Sequence, residues 1–143
     1  MMLEPRQQER LQSLKAGLFG AGAIALFIPL PLILAPLWLP SPSLVSVSSL
    51  FHGVAATLAG FLFGVTYRYT VRQDPNPQLK SGTVGAFAFV RGLAIAEHWL
   101  ADRWHPWVVA IGFAESIGMF AIAALVLELA MQQGWLERCQ TPE

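Results

Sequence analysis

Four long apolar runs, joined by short polar connections, make up the chain. Apolar residues follow one another rather than alternating with polar ones. About 20 consecutive apolar residues are what an α-helix needs to cross the ~30 Å hydrocarbon core of a bilayer. The pattern predicts an all-α fold: a single membrane domain over residues 1–143, an integral membrane bundle of four transmembrane helices. The helices are expected at about 16–39, 44–67, 82–100 and 107–130, with a basic polar loop at 68–81.

The first run, Ala16 to Leu39, follows Arg6, Arg10 and Lys15, as a secretory leader would. It exceeds the ~7–15 residues of a leader's apolar region, and no A-x-A-like site follows, so it reads as a retained helix. Pro29, Pro31 and Pro36 interrupt it. A proline removes a backbone donor and clashes with the preceding turn. A helix stopping at Ile28 would be only ~20 Å long at 1.5 Å per residue. The first helix is therefore expected to continue past Pro29, proline-kinked or locally unwound, with its freed carbonyls turned toward neighbouring helices.

The second run carries Ala56, Gly60 and Gly64 at four-residue spacing. A ridge of small residues lets two backbones approach closely, which is how membrane helices pack without a hydrophobic driving force. The polar connection TYRYTVRQDPNPQLKSG follows. Tyr67 and Tyr69 fall where an interfacial aromatic belt is expected. Asp74-Pro75-Asn76-Pro77 is turn chemistry, and Ser81 is placed to cap the third helix.

Composition agrees with the pattern. Of 143 residues 55% are hydrophobic and 13% charged, against about 25% charged in soluble domains. Net charge is zero, so no overall field points to nucleic acid. The lone Cys139 allows no internal disulfide, and no Cys/His spacing suggests a metal. Neither a phosphate loop, a nucleophile elbow nor an H-E-x-x-H motif occurs. The expectation is a chain that is not an enzyme and carries no cofactor.

Orientation follows from lysine and arginine placement. With four spans, Arg6, Arg10, Lys15, Arg68, Arg72, Lys80 and Arg138 fall on one side and Arg103 alone on the other. Both termini are then expected inside (N-in/C-in). A three-span arrangement, with the polar third run lying at the interface, is the alternative. The basic connection, with Arg68, Arg72 and Lys80, is a candidate interaction loop for an acidic partner or anionic lipid, at ~1 kcal/mol per cation. Ordinary inside-positive bias accounts for the same charges without a partner.

Charges inside spans are costly and normally face the bundle and find a partner. Arg91 in the third run and Glu115 in the fourth lie ~13 and ~22 Å from the inner face by helical rise. The two runs are sequence neighbours, so an intramembrane ion pair Arg91–Glu115 is expected, either a structural register device or a substrate, ion or pigment site. Glu97 and His98 approach the outer interface, and His52 is at a similar level. Histidines so placed can ligate haem or chlorophyll. Beside Trp99, Trp104 and Trp107 they equally suit amphipathic anchoring.

The segment YRYTVRQDPNPQLKSGTVGAFAFVRG resembles a family of small integral membrane proteins of cyanobacteria and plant plastids. The matching residues are Tyr67, Arg68, Tyr69, Arg72, Asn76, Pro77, Leu79, Lys80, Gly82 and Arg91, and the likeness covers about the middle third of the chain. It implies a thylakoid membrane protein with the basic loop on the stromal or cytoplasmic side; a plasma membrane is the other setting the pattern allows. The missing transit-like extension fits a bacterial rather than a plastid-imported protein. No activity comes with the resemblance. Beyond the lipid bilayer, the expected partner is a larger, possibly photosynthetic, membrane complex, or a second copy of the chain. The expected role is therefore that of an accessory or assembly subunit; the alternative is a small oligomeric transporter or channel using Arg91 and Glu115.

Overall fold

The structure is a computed structural model and describes residues 5–28, 47–71, 76–100 and 106–137. It is all-helical over these residues: α1 is Pro5–Phe27, α2 Val47–Val71, α3 Pro77–Leu100 and α4 Pro106–Gln132. Three of these helices are long and apolar enough to cross a membrane, over Leu50–Val71, Pro77–Glu97 and Val109–Gln132. Large apolar side chains such as Leu18, Leu26, Phe51, Val90 and Leu125 stand exposed on the outside, as a lipid-facing surface requires.

Helix boundaries depart from the apolar runs for local reasons. α1 begins eleven residues before Ala16, since Gln7 to Lys15 is rich in strong helix formers. Its expected continuation through Pro29, Pro31 and Pro36, kink included, lies outside the described residues. α3 starts at Pro77 rather than Gly82. Asn76 caps it, its Oδ1 accepting from the Gln78 amide at 3.0 Å, and proline suits the first helical position because that amide would lack a partner anyway. Ser81 is therefore not the cap; it lies inside the helix and donates to the Gln78 carbonyl. α2 runs on to Val71 because Tyr67, Arg68 and Val71 are all buried. The expected loop at 68–81 thus shrinks to residues 72–76, of which 72–75 lie outside the described residues.

Side-chain contacts set the topology. Arg68 at the end of α2 meets Glu9 and Ser13 of α1, and Lys80 at the start of α3 pairs with Glu128 near the end of α4. The helices run up, down, up, down. The start of α1 and the end of α4 therefore share one end, called here the near end. Phe63 of α2, Phe87 of α3 and Phe120 of α4 fill the middle, their ring centroids 5.1–5.6 Å apart, with Tyr67 tilted against Phe63 at 5.4 Å.

Two seams hold the helix pairs. Between α1 and α2, a side chain added at Gly64 would run into the Ala16 carbonyl, one at Gly20 into the Gly60 carbonyl, and one at Gly60 would meet Ile24 Cδ1 at 2.7 Å. Ala56, wholly buried, completes the ridge. Between α3 and α4 the fit is knob into gap: the Phe113 ring fills the space at Gly92, and Ile95 that at Gly112.

The chain after α4 turns back on itself. Gly134 takes φ +75°, a left-handed conformation that glycine adopts without a steric cost. The Trp135 and Leu136 amides then reach back to the Ala130 carbonyl at 2.9 and 3.2 Å. Leu136 is buried, and Trp135 stacks on Phe19 of α1 at 6.3 Å.

Candidate functional site

Polar side chains concentrate in two places. The first is the near end. Arg68 is 3% exposed although it carries a full charge. Its guanidinium donates to the Glu137 carbonyl at 2.9 Å, the Glu9 carbonyl at 3.2 Å and Ser13 Oγ at 2.7 Å. Ser13 Oγ is also 2.9 Å from Tyr69 Oη. One arginine thus ties α1, α2 and the tail behind α4 together. Its spacing explains this: Ala56, Gly60, Gly64 and Arg68 recur every four residues, so the small-residue ridge that faces α1 ends in Arg68.

Beside it, the Tyr67 hydroxyl donates to Glu128 Oε1 at 3.2 Å, and Lys80 pairs with the same carboxylate. Of the expected interaction loop, then, Arg68 is buried inside the bundle, Lys80 is engaged by Glu128, and Arg72 lies outside the described residues. None of the described cations of that set projects from a loop.

The second place is the far half, around Arg91 and Glu115. Because α3 begins at Pro77, Arg91 lies ~21 Å along it, deeper than the apolar run alone suggested. The contacts of Gly92 with Phe113 and of Gly112 with Ile95 put Arg91 level with Glu115. Each is nine residues from the far end of its helix. Yet the expected direct ion pair does not form: no contact within 4.0 Å joins them, and Arg91 Nε is buried without a hydrogen-bond partner. Glu115 acts on Arg91 only through its charge at longer range. Side-chain direction gives the reason. Cα–Cβ bonds tilt toward a helix's own N-terminus, so on antiparallel α3 and α4 the two side chains lean apart. Ser116, the buried hydroxyl at the same level, donates back to the Gly112 carbonyl at 2.8 Å and leaves no donor for Glu115.

His52 is exposed near the start of α2 and Glu97 is exposed near the end of α3; the His98 side chain lies outside the described residues. Among the described residues no group of three or more His, Cys, Asp and Glu is placed to hold a metal ion.

The fold defines a class: over the described residues the chain is all-helical, with three helices there apolar and long enough to cross a membrane. No family model, curated protein or solved structure matches it.

Proposed function

We propose that the chain is a non-enzymatic accessory or assembly subunit of a larger membrane complex, crossing the bilayer four times with both ends on the cytoplasmic or stromal side. The observation that carries this reading is the filled interior. Phe63, Phe87 and Phe120 close the space between α2, α3 and α4 at mid-height, where a conducting bundle would need a polar path. At the near end Lys80 is engaged by Glu128 and Arg68 by two carbonyls and Ser13, and many large apolar side chains stand on the outer surface, as suits a part that packs against lipid and neighbouring helices. Seven basic residues against one support the orientation. Trp107 and Trp135, both exposed and separated by ~38 Å of helix, suit the two interfacial belts. The thylakoid setting rests on the resemblance of residues 67–91 alone.

Purification in a gentle detergent tests the role. A stoichiometric larger partner is the expected result. Recovery of the chain alone, together with ion or solute flux in liposomes, would overturn it. That outcome belongs to a second reading, a small oligomeric transporter or channel. The unsatisfied Nε of Arg91 level with Glu115 is the observation that favours it.

A further inference from the structure

The cations expected to face a partner are engaged, Arg68 inside the bundle and Lys80 by Glu128, which shifts attention to those that are not. Arg10 and Lys15 stand exposed on α1, and neither has an ion pair or hydrogen bond among the described residues. Lys15 shares its face with Leu11, Leu14 and Leu18, which are 46%, 52% and 65% exposed. These residues are three or four apart, so they form one outward stripe, while Ser13, Ala16, Gly17 and Gly20 are buried on the opposite side. On the four-span reading proposed above, on which this inference rests, a lysine in the middle of an apolar, outward stripe has acyl chains around its stem. Its Cα–Cβ bond tilts toward the near end, so the ammonium snorkels back to the interface there.

A second feature stands beside it. Phe19, one turn along from Lys15, carries the Trp135 ring, and Gln12, one turn back, accepts from the Glu137 amide at 3.5 Å. The returning tail therefore fixes Trp135, 61% exposed, on the flank of the lysine. Its indole N–H has no acceptor among the described residues. A free ammonium, a free indole donor and an apolar stripe thus lie on adjoining faces of α1 in its near half. Together they offer charge and donors to a phosphate and a surface to the chains attached to it.

We infer that Lys15 and Trp135 form a binding site for an anionic phospholipid headgroup in the leaflet at the near end, with Leu11, Leu14 and Leu18 against its acyl chains. The site needs no protein partner and stands whether or not the accessory-subunit reading holds. It also differs from plain inside-positive bias, which acts on charge wherever it lies and gives Trp135 no part.

Native mass spectrometry of the full chain, released from mixed micelles of equal phosphatidylglycerol and phosphatidylcholine, tests it. The wild-type chain is expected to retain phosphatidylglycerol preferentially. Lys15→Gln should lower that preference about fivefold, the factor to which ~1 kcal/mol per interfacial cation converts. Lys15→Arg should keep it. Trp135→Phe, which preserves the stack on Phe19 but loses the N–H, should lower it about twofold. Circular dichroism confirms that each variant is folded, which an exposed lysine predicts. Equal retention of both lipids by the wild-type chain overturns the site. So does an unchanged preference in Lys15→Gln, or an equal loss in Arg10→Gln, which would mean that any near-end cation serves. Soluble glycerol phosphate should fail to displace the lipid at equal concentration; if it succeeds, the site is for free phosphate.

Discussion

Arg68 and Arg91 carry the same side chain into the same bundle and meet different fates. Arg68 is almost wholly buried and makes three hydrogen bonds; Arg91 is half-buried and its Nε meets no acceptor. The difference lies in what the surroundings can spare. The tail behind α4 brings the Glu137 carbonyl to Arg68, and α1 offers the Glu9 carbonyl and Ser13 Oγ at the same level. Around Arg91 the Gly112 carbonyl already takes the Ser116 hydroxyl, and the Glu115 side chain at its level leans away. A guanidinium is therefore a fastener at the near end and an unspent charge in the far half.

Substitutions at the two arginines and their neighbours break or sharpen that contrast. Arg68→Ala should have the largest effect, a loss of about 3–5 kcal/mol, because it removes three hydrogen bonds from a buried charged donor and unties α1, α2 and the tail from one another. Denaturation of the purified chain by sodium dodecyl sulfate measures it. A loss below about 1 kcal/mol would show that the fastener is ornamental. Gly64→Ala tests the ridge that leads to Arg68. Its new methyl meets the Ala16 backbone, which cannot rotate away, and should cost about 1–3 kcal/mol. Gly53→Ala, with open space around it, should be neutral or slightly stabilising, and equal losses at both sites would refute the seam.

Smaller effects separate the two charge pairs. A double-mutant cycle on Lys80 and Glu128 should return a coupling of about 1 kcal/mol, as for a part-exposed, well-placed pair. The same cycle on Arg91 and Glu115 should return about half of that or less. The reverse order would mean that the far-half pair closes in the bilayer. Last, Arg91→Leu alone should leave stability within about 1 kcal/mol of wild type, or raise it, since an apolar side chain replaces an incompletely paired charge. A loss above about 2 kcal/mol would reveal a partner for Arg91.

The helices were legible from the apolar runs, because in a bilayer length and hydropathy decide insertion and little competes with them. Their ends were not. α1 extends to Pro5 through a polar stretch and α3 to Pro77 through a turn-like one, since backbone caps rather than apolar residues fix where a helix stops. The ridge Ala56, Gly60, Gly64 was legible as spacing, but not its partner, although Ala16 and Gly20 carry the same four-residue interval. Arg68 was read as a loop charge because its neighbours are polar. Extending the ridge by one more step would have found it. The level of Arg91 and Glu115 could be approached by counting residues, but their leaning apart depends on helix direction and side-chain tilt, which a count leaves out.

The returning tail gives the molecule an optical handle at each end. Trp135 is pressed against Phe19 at the near end, while Trp107 stands 75% exposed at the start of α4 at the other. Loss of the tail's docking would free the first indole without touching the second. Emission spectra of Trp135→Phe and Trp107→Phe, each subtracted from wild type, would then follow the opening of the two ends separately. The order in which they open would be read from light alone.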